Sequence, residues 1–299
     1  MGNNLKEIRR KISSVQNTQK TTRAMKLVSA SKLKKAEELA KASKAFAKKI
    51  DEVFGEIVQK VALVGFENLD NAIFQASKPR DVKTIDVIFV TSDKGLCGGF
   101  NQATIKEVSA MIRRYQQDGI QVRLRGIGKK GISFFQFNEV ALLDEMEDLS
   151  STPDYEKAAK FIKRSVDDFV SEATDGLVIV HNGFKTMISQ EIKVQTLLPL
   201  KVEEYAKEGE AISNMEIEPD ESASQILEEL SYKYLEYTLY YALLDSLVAE
   251  HSARVQAMEA ATNNAGNLVR SLTVAYNKAR QEAITTELVE INAGVEAMK

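Results

Sequence analysis

Proline and glycine are distributed unevenly along the chain, and this distribution limits the folds that it can adopt. All four prolines lie between residues 79 and 219. Outside that window glycine occurs only at Gly2, Gly55, Gly65, Gly266 and Gly294. Because proline breaks helices and glycine weakens them, the sequence predicts two long helices that flank a conventional central domain.

A heptad pattern runs along both predicted helices. The first helix is predicted over 3–57, and the last from just after Pro219 to near the chain end. The predicted inward positions of the first helix are Leu5, Ile8, Ile12, Val15, Gln19, Thr22, Met25 and Val28, after which alanine and serine prevail. Those of the last helix are Leu244, Val248, His251, Val255, Met258, Thr262, Ala265, Val269, Leu272, Tyr276, Ala279 and Ala283. Alternating steps of three and four residues are typical of a coiled coil.

Helices of this length do not fit inside a compact domain. At 1.5 Å per residue, a last helix of ~75 residues would extend roughly 110 Å and the first about 80 Å. The sequence therefore predicts that the N- and C-terminal helices pair as a long antiparallel coiled-coil rod. Its seam contains alanine, threonine, glutamine and histidine where a stable coiled coil has leucine, isoleucine or valine. Either other proteins enclose the rod, or the coiled coil is marginal.

The central segment alternates strand and helix patterns. Strands are predicted at 85–92, 121–128, 139–143, 176–184 and 188–200, and helices at 100–117, 129–136 and 154–173. This alternation predicts a Rossmann-like α/β domain with a mostly parallel sheet. The predicted domains are an N-terminal coiled-coil helix at 1–58, an α/β domain at 80–205 and a C-terminal coiled-coil helix at 218–299.

Composition and charge limit the function classes. No apolar segment approaches the roughly 20 residues needed to cross a bilayer, and the N-terminus has no apolar signal sequence. A single cysteine excludes an internal disulfide or a cysteine-based metal site, so a reducing compartment, most simply the cytoplasm, is expected. Residues 1–50 contain 14 lysines and arginines against three acidic residues. This basic arm favours a nucleic acid, an anionic membrane or an acidic protein as neighbour, with a solvated helix face as the alternative.

Two glycine-rich loops follow predicted strands and could bind phosphate. The stretch GLCGGFN (95–101) lacks the GK[ST] ending of a P-loop, and no histidine lies near Cys97 in sequence to activate its thiol. The favoured interpretation is a tight turn in which Cys97 fills a small apolar space. The stretch GIGKKG (126–131) matches a dinucleotide fingerprint, with Asp144 as the possible ribose ligand, but it follows the second strand and precedes a short helix.

The remaining candidate residues favour structural roles. His181 and His251 have no second ligand at metal spacing, so both are predicted to be structural. The tyrosines at 232, 234, 237, 240 and 241 are predicted to pack the last helix onto a neighbouring domain, with stacking on nucleic acid as the alternative. No general acid–base pair or activated nucleophile stands out, so no catalytic residue, metal or cofactor is predicted.

Three stretches together have a family resemblance. The segments IRRKISSVQNTQKTTRAMKLVSASKLKKA (8–36), SDKGLCGGFN (92–101) and AYNKARQEAITTELVEINAGVEAM (275–298) resemble the γ subunit of F-type ATP synthases. The segment NGFKTMISQEIKVQTLLPL (182–200) is similar to the closing strands of that family. The resemblance implies a non-catalytic central stalk that stands inside a ring of α and β subunits, with ε as a further partner. Ion flow through a ring of c subunits at its foot would turn the stalk and drive ATP synthesis or hydrolysis at the β subunits.

The resemblance also implies which residues contact the ring of α and β subunits. By position these are Met25, Lys94, Cys97, Arg254, Arg280, Gln281, Thr285, Glu287 and Glu290. The C-terminal helix is expected to outreach the first by about 20 residues, or 30 Å. A bacterial protein at the cytoplasmic side of the inner membrane is expected, peripheral and in contact with the membrane only through the c ring. The rival interpretations are a coiled-coil tether for nucleic acid and a small α/β enzyme with a dinucleotide or Cys97 at its centre.

Overall fold

The computed structural model describes residues 2–64, 72–78, 80–200 and 221–298. The chain divides into two compact units, one formed by Met1–Ser31 with Arg254–Lys299 and the other by Lys32–Ala253. The first unit is a helix pair, and the second is a sheet packed between helices. The predicted domain limits at 205 and 218 lie outside the described residues.

Six helices and five strands form the described part of the chain. The helices are α1 (Gly2–Val64), α2 (Ala72–Ala76), α3 (Phe100–Gln117), α4 (Lys129–Phe137), α5 (Tyr155–Val170) and α6 (Glu221–Glu296). The strands are β1 (Thr84–Val90), β2 (Gln121–Ile127), β3 (Leu142–Met146), β4 (Gly176–Thr186) and β5 (Ser189–Leu198). The two long helices have 63 and 76 residues. α1 extends past the predicted end at 57, and the short α2 was not predicted.

In the first unit, α1 and α6 pair in antiparallel fashion. Arg9 donates a hydrogen bond to the hydroxyl of Tyr276 at 2.9 Å. Lys26 lies further along α1 and forms an ion pair at 2.6 Å with Glu259, which lies earlier in α6 than Tyr276. A step toward the C-terminus of one helix therefore matches a step toward the N-terminus of the other, which confirms the predicted antiparallel pairing.

A polar layer lies within this helix pair. The hydroxyl oxygens of Thr22 and Thr262 are 2.8 Å apart, and the Gln19 amide donates to the carbonyl of Thr262 at 3.5 Å. A Cβ at Gly266 would come within 2.8 Å of the Gln19 amide nitrogen, so glycine leaves room for that side chain. Because polar seam residues pair best in one alignment, the layer helps to fix the register of the two helices. It also confirms the predicted polar seam positions 19 and 22.

One predicted seam position is wrong. Val28 is 58% exposed, whereas the neighbouring Ser29 is only 4% exposed. A coiled-coil seam advances seven residues in two turns, and from Thr22 this spacing leads to Ser29. The small serine side chain allows the helices to approach closely at this level, and Val28 is left on the outer surface.

In the second unit, the strand order of the sheet is β3-β2-β1-β4-β5. The β1–β2, β1–β4 and β2–β3 pairs are parallel, and only β5 runs antiparallel to its neighbour β4. The predicted mostly parallel sheet is thereby confirmed. β3 begins three residues later than predicted, because Glu139 adopts a left-handed conformation with φ of 58°. The N–H of Val140 still bonds to the carbonyl of Phe135, so these residues close α4 instead of opening the strand.

Helices cover both faces of this sheet. α3 and α4 pack on one face, where Phe89, Val108 and Phe135 are fully or almost fully buried. The core on the other face takes residues from α1, α2, α5 and α6. There the rings of Phe54 and Tyr234 stack with their centroids 4.3 Å apart. This unit therefore has its own two-sided hydrophobic core.

A buried ionic network crosses the first three strands of the sheet. Asp86 on β1 is fully buried and accepts hydrogen bonds from Arg123 at 2.6 Å and from Arg125 at 3.1 Å. Arg125 also contacts Asp144 of β3 at 3.6 Å and donates to Asp168 of α5. Since each buried charge faces opposite charges, removal of one member would leave the remaining buried charges with fewer partners.

We predict that Arg125→Met lowers the free energy of unfolding by about 3–5 kcal/mol, because it leaves the fully buried Asp86 with Arg123 as its remaining arginine partner. Arg164→Met is the matched control: its side chain is 65% exposed and its ion pair with Asp144 lies at the rim, so the loss should stay below about 1 kcal/mol. Urea unfolding of the full chain, followed by circular dichroism, measures both. Equal losses in the two variants would contradict the role assigned to the network.

Candidate partner-binding surfaces

The C-terminal end of α6 extends beyond the start of α1. Because Arg9 lies level with Tyr276, the start of α1 at Gly2 lies level with Ala283. α6 continues to Glu296, about 13 residues and about 20 Å further. The overhang is thus shorter than the predicted 20 residues.

Five of the residues predicted to contact a partner lie at or near this overhang and are exposed, namely Arg280, Gln281, Thr285, Glu287 and Glu290. The Thr285 hydroxyl donates to the carbonyl of Gln281 at 2.9 Å, so it is satisfied within the helix. Glu287 and Glu290 continue the seam direction past the end of the helix pair. Their carboxylates are therefore available to another chain.

An apolar stripe on the overhang was missed in the sequence. Ile284, Leu288, Ile291 and Val295 are 48%, 56%, 57% and 48% exposed. Their spacing of four, three and four residues places them on one side of the helix. The first of them, Ile284, follows the seam residue Ala283 by one position. The stripe is therefore turned by about 100° around the helix from the face that contacts α1. The same heptad spacing is present in the sequence one position beside the seam.

The other predicted contact residues differ in accessibility. Lys94 is exposed and Met25 is partly buried. Cys97 is 2% exposed and Arg254 is 7% exposed, and both already interact with other groups of the chain. Side chains this deeply buried present almost no surface to another protein.

The GLCGGFN loop is a tight corner with its own hydrogen-bond network. Asn101 donates to the Cys97 sulfur at 3.3 Å and to the Ser92 hydroxyl at 2.8 Å. The Cys97 side chain packs with Phe100 and two alanines of α6, as the interpretation of a small apolar plug predicted. Leu96, in contrast, has φ of 63° and is 62% exposed. The loop therefore buries its thiol and presents Leu96 and Lys94 outward.

The GIGKKG loop is filled by the protein itself. The Asp93 carboxylate accepts hydrogen bonds from the backbone N–H of Lys129 at 3.0 Å, at the start of α4, and from the Ser150 hydroxyl at 2.8 Å. A Cβ at Gly128 would come within 1.9 Å of the Thr91 carbonyl oxygen. The glycine thus serves close packing of the loop on β1, and a carboxylate occupies the place where a pyrophosphate would bind a helix N-terminus. Both observations oppose the dinucleotide interpretation.

The predicted ribose ligand has another role. Asp144 forms ion pairs with Arg164 at 2.8 Å and with Arg125 at 3.6 Å, and its side chain is 12% exposed. It belongs to the buried ionic network of the sheet.

No group of three histidine, cysteine, aspartate or glutamate side chains is arranged to hold a metal ion within the described ranges. Within those ranges, too, no helix combines the length and the apolar character needed to span a bilayer.

Both histidines lie in packed regions of the second unit. His181 on β4 is 3% exposed, and its Nε2 lies 3.2 Å from the carboxylate of Asp245 on α6. His251 is 8% exposed on α6. These positions agree with the predicted structural roles.

The tyrosines of α6 pack against the α/β domain. The rings of Tyr237 and Tyr240 lie 6.2 Å and 5.8 Å from Tyr155 of α5. The Tyr155 hydroxyl donates to Glu236 at 2.7 Å. Burial, together with the negative charge of Asp167, raises the pKa of Tyr232 to about 12. The predicted packing role is confirmed for Tyr234, Tyr237 and Tyr240.

Comparison with known proteins gives one consistent family. A family model described as ATP synthase matches residues 4–298. The chain is 62% identical to the ATP synthase gamma chain of Wolinella succinogenes over 299 residues, which covers the whole of both chains. It is 55% identical to the ATP synthase gamma chain of Helicobacter pylori, over 99% of each chain.

Solved structures agree with this result. A chain in the central stalk and c ring of the Tetrahymena thermophila mitochondrial ATP synthase is 27% identical, with a TM-score of 0.57, and the match covers 81% of this chain and 99% of that one. A chain from the Euglena gracilis mitochondrial ATP synthase has a TM-score of 0.66 at 18% identity, over 100% of this chain and 95% of that one, and supports the fold.

A long antiparallel helix pair together with a mostly parallel α/β domain is the fold that this chain shares with a central-stalk chain of ATP synthase. The full-length matches specify which subunit this is. The chain belongs to the ATP synthase gamma-chain family.

We predict that Gly128→Ala destabilises the chain strongly, because the new Cβ would overlap the Thr91 carbonyl at 1.9 Å in a left-handed backbone with φ of 94°. Gly119→Ala is the control. It has φ of 73° but nothing within 4 Å of its Cβ, so its cost should be limited to the backbone term of about 1–2 kcal/mol. Melting temperatures of the two variants measure the difference. If Gly128→Ala melts no lower than Gly119→Ala, the packing explanation of this loop is wrong.

We predict that Asp93 contributes stability that depends on pH. Burial alone would raise the pKa of its carboxyl group, but hydrogen bonds from the Lys129 N–H, from Ser150 and Ser151 and from the Asp148 N–H lower it below its usual value. This stabilisation is present above the unfolded pKa of about 3.9 and disappears as pH falls through the lower folded value. Asp93→Asn should therefore unfold more easily than the wild type at pH 7, and this gap should shrink below about pH 4. A gap that stays constant down to pH 2 would contradict the assignment.

Proposed function

We propose that this chain is the rotating central stalk of an F-type ATP synthase, a non-catalytic subunit that couples ion flow through a c ring to ATP synthesis or hydrolysis at β subunits. The match over the whole length to ATP synthase gamma chains carries this proposal. Its partners are the α and β subunits of the head, the ε subunit and the c ring. The chain reaches the membrane only through the c ring, at the cytoplasmic side of a bacterial inner membrane.

The exposed end of α6 is the part of the chain best suited to lie inside the ring of α and β subunits. Four apolar side chains there are about half exposed, and two carboxylates stand beside them. An apolar surface of this kind on a single helix normally lies against another protein. A mostly apolar contact without a fixed ion-pair partner also allows the helix to turn, because the hydrophobic effect has no preferred direction.

The basic side of α1 supplies the second proposed contact. Lys20, Arg23 and Lys26 line a groove of about 460 Å³ in the first unit, across from Glu259. Lys20 and Arg23 are exposed. Attraction between these lysine and arginine side chains and acidic loops of the β subunits would guide the stalk into the ring and fix its orientation.

Of the individual contact residues, we assign direct contact to those that are accessible. The exposed members are Lys94, Arg280, Gln281, Thr285, Glu287 and Glu290, and Met25 is partly accessible. Cys97 and Arg254 act by holding the surrounding backbone, since both are buried. The exposed Leu96 joins Lys94 at the tip of its loop.

We predict that the chain alone has no ATPase activity and that it forms a stable ATPase when mixed with purified α and β subunits. Size-exclusion chromatography measures the assembly, and phosphate release measures turnover. An α and β mixture without this chain is the control. If the chain does not enter the assembly or does not change its turnover, the proposed function is wrong.

We predict that deletion of residues 285–299 leaves the melting temperature of the isolated chain nearly unchanged, because α1 begins level with Ala283 and the deleted residues lie beyond it. The same deletion should weaken the coupling between ATP hydrolysis and ion pumping in the complex, since it removes the exposed apolar stripe beyond Ile284. Val274→Ala, which alters a residue 70% exposed on the paired part of α6, is the control for nonspecific effects. A truncated chain that couples like the wild type would contradict the role of the overhang.

A further inference from the structure

An ionic cluster joins the β4–β5 hairpin to α6 within the second unit. Asp245 of α6 is 7% exposed, and its Oδ2 accepts a hydrogen bond from the Lys193 ammonium at 2.7 Å. The same oxygen lies 3.2 Å from Nε2 of His181. Its Oδ1 accepts a hydrogen bond from the backbone N–H of Phe184 at 3.2 Å. One carboxylate of the long helix therefore contacts both strands of the hairpin.

The backbone of β4 is adapted to this contact. A Cβ at Gly183 would lie 2.4 Å from the Asp245 Oδ2 and 2.7 Å from the Lys193 side chain. Only glycine leaves room for the helix carboxylate at this distance from the strand. The close approach therefore depends on two residues, Asp245 of α6 and Gly183 of β4.

Asp245 remains ionised in this buried site. Burial opposes the charge, but hydrogen bonds from His181 and Lys193 and the positive charge of Lys193 lower the pKa of the carboxyl group. Hydrogen bonds to an ionised group are stronger and more directional than those between neutral groups. Donors on both strands hold this carboxylate in place, so the cluster opposes displacement of the helix along the hairpin.

A second contact lies along the same side of α6. Ser252 donates a hydrogen bond to the Met187 carbonyl at the tip of the hairpin, at 2.9 Å. Asp245 and Ser252 are seven residues apart, which corresponds to two helical turns and about 10 Å. Between them, the fully buried Ala249 packs with Phe184. Two attachment points along one side of a helix resist both rotation and translation of that helix.

We propose that Asp245 is a positioning residue for torque transmission: with Lys193 and His181 it locks the α/β domain to the shaft helix, so that rotation imposed on the domain turns α6 without slip. This inference rests on the proposed function. The cluster matters under load, when the domain and the shaft are driven against each other. In an unloaded complex, apolar packing is sufficient to hold them together.

The test uses the full chain assembled with its α, β and ε subunits and its membrane sector in vesicles. ATP hydrolysis and ATP-driven ion pumping are measured with and without an opposing ion gradient. Asp245→Asn and the milder Lys193→Met should assemble and hydrolyse ATP, yet lose most of their pumping against the gradient. Lys185→Met is the control, because its ion pair with Glu191 at 3.2 Å lies within the hairpin itself.

A covalent replacement separates mechanical coupling from a general loss of stability. Gly183→Cys combined with Asp245→Cys removes the carboxylate oxygen that a Cβ at residue 183 would meet at 2.4 Å, and places two thiols to link strand and helix through a disulfide. Cys97 is 2% exposed and is left in place. The reduced double variant should lose pumping under load, and the oxidised form should regain it.

The outcomes separate the two proposals. Full pumping by Asp245→Asn against the gradient would overturn the positioning role, as would an oxidised double variant that pumps no better than the reduced one. If the wild-type chain itself neither assembles nor pumps, the proposed function fails and the positioning role fails with it. If the wild type pumps but Lys185→Met loses as much pumping as Asp245→Asn, the hairpin is sensitive to any substitution. That result would also overturn the positioning role of Asp245.

Discussion

The pairing of two helices through a narrow, partly polar seam is the interaction on which the rest of the structure depends. Neither α1 nor α6 could stay helical over such a length in water by propensity alone, since most helical stability comes from a buried side. In the first unit that side is shared, with Thr22 facing Thr262 and Lys26 paired with Glu259. Small and polar seam residues bury little apolar surface, so this pair gains further stability if other chains surround it.

The α/β domain contributes a different kind of constraint. Its loops resemble ligand sites in sequence, yet each is closed by the chain itself. Asp93 satisfies the start of α4, and the Cys97 side chain fills the corner between α3 and α6. Buried charges in the sheet are matched by neighbours, as around Asp86. Both glycine-rich loops of the domain are therefore occupied by groups of the chain itself.

The sequence predicted much of this architecture because its strongest signals were periodic. Helix α3 was placed at the correct residues, and the seam positions 19 and 22 were identified, because both depend on local spacing. The start of β3 was predicted too early because Glu139 adopts a left-handed turn conformation without the glycine or proline that would mark a turn in the sequence. The prediction for Val28 was wrong because Val28 and Ser29 both lie about one helical turn after Met25, and the apolar side chain was chosen although Ser29 is the buried one.

The sites depended more on tertiary structure. The burial of Cys97, which the family resemblance placed in a partner contact, depends on alanines of α6 that are distant in sequence. The Asp245 cluster also escaped detection, because His181, Lys193 and Asp245 lie on three different elements. Only the family resemblance indicated contact residues on the overhang, and the apolar stripe beside them was overlooked.

Direct observation of rotation tests the central claim most directly. Phe137 is 87% exposed at the end of α4, so a Phe137→Cys variant can take a bead while the native Cys97, 2% exposed, stays unmodified. The variant would be assembled with surface-anchored α and β subunits and watched after addition of ATP. The account predicts stepwise rotation in one direction, at a rate that rises with ATP concentration. A bead that stays fixed or only diffuses, on complexes that hydrolyse ATP, would contradict it.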